Sequence, residues 1–254
     1  MLASTVQVVA FVATAVAVLA WSTDDYASEQ VRAAATEARA RFAQQRDEVA
    51  RTWVAATVEY ARSPRLLATA AIPDVDDATF AEVLAELQAP IVAVLDPAGR
   101  VVGSRGGWRP GTQLGTAPGC AAAVAGTAGD HVWPHPAGPA FVAVVPLVQG
   151  DELLGALVRG QPIDATFAAR IPVLAGYDHV LAFGPMVLAQ HWRSTADAID
   201  LQPLLDLATG PTSERTRDLT LRLDGTDHPG LALPLHADGG MVFLAQDLRG
   251  IYAH

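Results

Sequence analysis

Ile91-Val92-Ala93-Val94-Leu95-Asp96-Pro97-Ala98-Gly99-Arg100-Val101-Val102 reads as two short strands folded back on each other. Apolar, largely β-branched runs flank a four-residue group in which Pro fixes φ and Gly accepts φ > 0, the chemistry of a tight turn. Strands are predicted at 91–95 and 101–104. The same plan returns later in the chain. Val180 to Phe183, a Gly184-Pro185 turn and Met186 to Gln190 form a second hairpin, with Val187 standing where Val101 stands in the first. Pro146-Leu147 is echoed by Pro234-Leu235 at nearly the same separation. Two landmarks with matching offsets indicate a repeated sheet module of about 90 residues.

Within the first module, a Gly-rich loop from Gly103 to Gly119 leads to a short helix at Cys120 to Ala125. Strands follow at His131–Trp133, Ala140–Val148 and Leu153–Arg159, and Asp164 caps a helix ending near Leu174. In the second module Leu204–Ala208 supplies the connecting helix. Strands are predicted at Leu219–Leu223, Leu231–Leu235 and Met241–Gln246. Hairpin, helix and three-stranded meander together describe a five-stranded antiparallel sheet with helices on one side, so the class is α+β.

Upstream of the modules, Asp24 to Arg62 contains neither Gly nor Pro and carries apolar residues at helical spacing. This is one long helix of roughly 55 to 60 Å at about 1.5 Å per residue. Val31, Ala35, Ala38, Phe42, Gln45, Val49, Thr52 and Ala56 alternate steps of four and three, while Trp53 and Tyr60 widen the stripe. The spacing suits a parallel dimer seam, and equally a helix lying along its own domain. Ser63-Pro64 ends it, since Pro disfavours helical geometry in the preceding residue. A shorter helix follows from Asp76 or Asp77 to Gln88.

Met1 to Thr23 holds no ionisable side chain and closes near Trp21, an interfacial residue. Such a stretch is just long enough to span a bilayer. A cleaved secretory signal is the rival reading, given Ala17 and Ala20, although a basic n-region is missing. Either way the bulk of the chain is expected outside the cytoplasm, on a cell membrane with a single N-terminal span. The net charge is −10, with 17 basic against 27 acidic residues and no Lys, which excludes a phosphate-neutralising nucleic-acid surface and a P-loop. The lone Cys120 leaves no internal disulfide, so burial must stabilise the fold.

The anchor, the helix ending in Ala61-Arg62-Ser63-Pro64-Arg65-Leu66-Leu67, the 91–102 hairpin, and Val144-Val145-Pro146-Leu147 followed by Leu154-Gly155-Ala156-Leu157-Val158 together resemble a double Cache sensor, the extracytoplasmic input region of bacterial receptors. The resemblance covers nearly the whole chain and implies two PAS-like antiparallel sheet modules in tandem. The expected division is an anchor at 1–23, a stalk helix at 24–62, a membrane-distal module at 63–163, a smaller module at 164–248, and at 249–254 the start of a link to a further span or output module. Such receptors usually continue into that second part.

In a PAS-like module, small molecules lie between the sheet and the segment that covers it. Arg105, Trp108 and Arg109 lie on that cover, and His131 and Trp133 share a face of the next strand. Arg grips carboxylates with paired hydrogen bonds and Trp supplies a flat wall, a combination suited to a small organic anion. The bland alternative is solvated arginines over a tryptophan-filled core. His131 and His135 lack further ligands for a metal, and Pro134 and Pro136 exclude a helix that would pair them. Nucleophile elbows, dinucleotide loops and His-Glu-x-x-His pairs are absent from the sequence, so no enzyme activity and no cofactor are expected. The expected partners are a small ligand, the membrane and, through the long helix, a second copy. Rival readings are a tethered interaction module without a small ligand, whose interior Trp108 and Trp133 would fill, and an exported hydrolase of unrecognised type.

Overall fold

A computed structural model describes residues 33, 36–72, 75–192, 199–209 and 216–245. Helix α1 covers 36–61 and breaks at residues 62–63, where the Ser63-Pro64 pair stops it as the sequence requires. Pro64 then opens α2, Pro64–Ala70. Helix α3, Asp77–Ala85, begins at Asp76, whose carboxylate accepts a 2.8 Å bond from the Thr79 amide and satisfies one of the free donors of the first turn.

The first sheet contains β1 (Ile91–Leu95), β2 (Val101–Arg105), β3 (Gly129–Trp133), β4 (Ala140–Gln149) and β5 (Glu152–Pro162), with α4 (Cys120–Val124) between β2 and β3. Its strand order is β2-β1-β5-β4-β3, antiparallel throughout. The predicted turn forms between β1 and β2: one Asp96 carboxylate oxygen accepts from the Ala98 and Arg100 amides at 2.9 and 2.8 Å, and Gly99 takes φ 77°. After β5, the Asp164 carboxylate accepts from the Thr166 and Phe167 amides and caps α5 (Ala165–Ala168). The single helix expected to run to Leu174 is instead broken, because Pro172 starts a separate 3-10 turn at Pro172–Gly176.

The second sheet comprises β6 (His179–Phe183), β7 (Met186–His191), β8 (Ile199–Asp200), β9 (Arg217–Leu223), β10 (Thr226–His236) and β11 (Gly239–Ala245), with α6 at Gln202–Thr209. Its order, β7-β6-β11-β10-β9-β8, repeats the first sheet and adds β8 at the edge. The sequence reading foresaw five strands here. β8 is two residues long and carries no periodicity to reveal it. The echoed prolines acquire a cause from the register. Pro146 lies two residues beyond Val144, the last β4 residue paired with β3, and Pro234 two beyond Ala232, the last β10 residue paired with β9. The missing amide of each therefore removes no ladder bond on that side.

Strands buried on both faces need cover on both, and one helix serves the two sheets. Val92, Val94, Ala143, Val145 and Leu157 from the first sheet join Leu181, Leu233, Val242 and Leu244 from the second in one core, against Phe42, Ala50, Trp53 and Ala61 of α1. Over 38–49 the stripe proposed for a dimer seam is thus occupied within the chain. Ala38 and Phe42 are buried, Gln45 accepts a 2.7 Å bond from the Val173 amide, and Thr52 is exposed because the buried line turns onto Trp53 and Thr57. The helix does not stand free as a stalk over 36–61; it lies along the sheets. The opposite faces carry their own cores, covered by the 106–126 segment on the first sheet and by α6 on the second.

Among the described residues no helix is long and apolar enough to cross a membrane. The expected anchor at 1–23 and the link at 249–254 lie outside the described residues.

Gly155 marks the tightest approach in the first sheet: it takes φ 141°, and a Cβ there would stand 1.9 Å from the Leu95 carbonyl oxygen. Gly155→Ala is expected to lower unfolding free energy by about 2–3 kcal/mol, read from urea denaturation, whereas Gly150→Ala, with open space around its Cβ, should cost less.

Candidate ligand site

β1 alternates its side chains between two environments. Val92 and Val94 face α1, while Ile91, Ala93 and Leu95 face the covering segment, together with Ala140, Val142, Val144, Ala156 and Val158 from the neighbouring strands. Several of these positions are Ala, and Gly160 adds another with no side chain on the same face. The recess is filled from above and from the edge. Trp108, on the covering loop, is 7% exposed, and Trp133, on β3, is 1% exposed. Their rings meet edge to face with centroids 5.6 Å apart, a contact worth about 0.5–1.5 kcal/mol beyond burial. His135 closes the other side of Trp108 at 4.9 Å.

Polar groups fix these rings. The Trp133 indole donates to the Pro118 carbonyl at 2.9 Å, and the Ser104 hydroxyl donates to the Trp108 carbonyl. Gly119, at φ 82° before α4, sits where a Cβ would lie 2.1 Å from His131 Nε2, so the cover can approach β3 only through a glycine. Cys120 is buried in the same layer, and desolvation pushes its thiol up to about 11, which keeps it protonated and unreactive.

Of the five residues singled out from sequence, Trp108 and Trp133 come together. Arg105 and Arg109 are exposed. Arg105 reaches back to the Ala85 carbonyl at the end of α3, at 3.4 Å. His131 is engaged elsewhere: its Nδ1 lies 2.9 Å from the Asp238 carboxylate in the turn between β10 and β11. His131 and His135 therefore serve different neighbours.

That contact belongs to a junction between the modules which sequence reasoning missed. Asp238 also accepts from the Val132 amide at 3.2 Å, and His236 lies 3.1 Å from the same carboxylate through Nδ1 and 3.3 Å from Asp130 through Nε2. The Asp130 carboxyl is held below the ordinary value chiefly by the hydrogen bond from His236, against the opposing cost of burial. Asp130 and His131 lie in one module while His236 and Asp238 lie in the other. The only sequence signal was an acidic residue within two positions of a histidine at two places, Asp130-His131 and His236-Ala237-Asp238, too common to single out.

No family model matches the chain, and no curated protein matches it. Solved structures do. The ligand-binding domain of the Campylobacter jejuni chemoreceptor Tlp3 in complex with 4-methylisoleucine aligns over 91% of this chain and 94% of its own, with a TM-score of 0.51 at 10% identity. The same domain in complex with L-valine covers 90% and 96%, at 0.50 and 12%. The periplasmic domain of Vibrio cholerae LuxQ covers 84% and 99%, also at 0.50 and 12%. At these identities the likeness is one of architecture. The fold is the one these receptor domains share, the two-sheet architecture that the sequence resemblance implied.

Burial holds the pKa of His135 below that of a free histidine, with the Gly106 backbone opposing. A depressed histidine value makes the unfolded chain take up the proton first, so the contribution of His135 to stability is constant above about pH 6.5 and declines as pH falls below it. Melting temperatures measured between pH 8 and 5 should fall on the acid side, and His135→Phe should flatten that decline. Loss of the Asp130 interaction belongs to a lower window, below about pH 4.

Proposed function

We propose that the chain is the extracytoplasmic sensor region of a membrane-anchored bacterial signal-transduction receptor. A small organic anion binds under the cover of the first module, and α1 relays its presence toward the membrane. The observation that carries this reading is the shared core: α1 packs at once on the helix-facing sides of both sheets, so a shift in the first sheet moves the surface on which the helix rests. A ligand acts there only by binding one packing more tightly than another, since equal affinity shifts no equilibrium.

Under this proposal Trp108 swings away from Trp133 when the 106–119 loop opens. Arg105 and Arg109, without carboxylate partners among the described residues, turn inward to hold the ligand's carboxylate, with Trp133 and His131 as floor and edge. The Tlp3 domain, which shares the architecture, has been solved with 4-methylisoleucine and with L-valine. Small aliphatic amino acids are therefore the first class to try. The proposed organisation is an anchor at 1–23, a helix at 24–62, a membrane-distal ligand module at 63–163 and a membrane-proximal module at 164–248. Pairing with a second copy, if the receptor signals as a dimer, uses the exposed side of α1 and residues before 36.

A second reading is favoured by one specific observation. Trp108 and Trp133 fill the recess of the first module, which suits a tethered interaction module that takes no small ligand.

Calorimetric titration of the purified protein with branched amino acids and short carboxylates separates the two. Saturable binding, weakened at least about tenfold (~1.4 kcal/mol) by Arg105→Ala with Arg109→Ala while the melting temperature stays within a degree or two, supports the sensor. Absence of any binding across the series leaves the interaction module.

A further inference from the structure

A cation lies buried between β5 and α1 without an anion to match it among the described residues. Arg159 points to the helix side of β5, opposite to Val158, and is 7% exposed. Its guanidinium stacks on Trp53 with Cζ 4.0 Å from the ring centroid, and lies 5.0 Å from the ring of Tyr60. Nε donates to the Leu87 carbonyl at 3.2 Å, while Trp53 Nε1 donates to the Arg159 carbonyl at 2.9 Å. Nη1 is buried and has no acceptor. Gln161, two residues on and on the same face of the strand, is 5% exposed, and its amide nitrogen also has no acceptor.

Among the described residues no carboxylate forms an ion pair with Arg159. The nearest cation instead adds to the imbalance: Arg170 brings its guanidinium to 5.7 Å from the Trp53 ring, and its charge opposes that of Arg159. A buried charge costs several kcal/mol unless it is paired. Stacking on two rings offsets about 2 kcal/mol of this, and a single carbonyl bond somewhat less. Two orphaned donors on one face of β5, with a second guanidinium against the same tryptophan, have the chemistry of an anion site.

We propose that Arg159, Gln161 and Arg170 bind the carboxylate of a small solute on the helix-facing side of β5. Arg159 supplies charge and an N–H edge, Gln161 a neutral donor, and Arg170 a second charge from the solvent side. The site is separate from the one proposed under the 106–126 cover, since it lies on the other face of the same sheet and stands or falls independently of it. Trp53 and Tyr60 belong to α1, so occupancy acts directly on the helix and needs no relay through the sheet.

The test uses the full chain in detergent micelles, titrated with sodium acetate and, at matched ionic strength, with sodium chloride, reading the melting temperature and the heat of binding. Acetate is expected to raise the melting temperature saturably and chloride to do so much less. Gln161→Leu and Arg170→Gln, neither of which removes the buried charge, should each weaken acetate binding by about three- to tenfold. Arg159→Met should abolish it and melt higher than the wild type in acetate-free buffer, because an apolar side chain replaces an unpaired charge. Equal effects of acetate and chloride, or wild-type acetate affinity in both the Gln161 and Arg170 variants, would overturn the assignment even if Arg159→Met fails to fold.

Discussion

One helix covering two sheets is the constraint from which the remaining architecture follows. β1 is buried at all five positions and β11 at all seven, so each sheet has two apolar faces and neither is stable with one of them in water. A fully buried aliphatic or aromatic side chain contributes roughly 1.5–3 kcal/mol. The line through Phe42, Ala50, Trp53 and Ala61 therefore ties α1 to the modules far more strongly than an exposed ion pair such as Arg62–Glu59, both members of which are about three-quarters exposed. The helix position is set by the sheets, and any rearrangement of a sheet must be accommodated along it.

The two outer faces are finished differently. The second sheet closes under α6, with Leu204 and Ala208 on Phe243 and its neighbours. Over the first, a loop and a five-residue helix carry the cover, held by glycines at positive φ and by hydrogen bonds to tryptophan and serine groups. A cover made of loop, with few apolar anchors and mostly local backbone bonds, opens at lower free energy than a packed helix. Under the proposed function, this difference favours the first module as the place where a ligand enters. The junction of His131, Asp238, His236 and Asp130 lies at the foot of the same strand that carries Trp133, so a movement of β3 is felt by the second module as well as by α1.

The arginine on the opposite face shows how far one strand serves two environments. Along β5, Val158 belongs to the covered recess and Arg159 to the helix side. A cation held there by stacking on Trp53 and Tyr60 and by one carbonyl bond, with no carboxylate paired to it among the described residues, leaves an electrostatic imbalance in the helix contact.

Short-range chemistry was legible in the sequence. Turn residues Asp96 to Gly99, the Asp76 and Asp164 caps, the stop at Ser63-Pro64 and the repeated hairpins all arise from backbone preferences that act over a few residues, and they recur in the structure. The repeat itself was visible because strand, turn and proline each leave a local mark. What the tertiary structure alone decided is how faces are shared. The helix stripe looked the same whether its partner was a second helix or two sheets, for periodicity specifies that a face is buried and not by what. Likewise His131 was placed correctly on its strand but found its partner in Asp238, more than a hundred residues away, and Arg159 carried no sign of burial because the aromatic rings that shelter it come from another element. Contacts between distant segments depend on how the modules dock, and no local pattern encodes that.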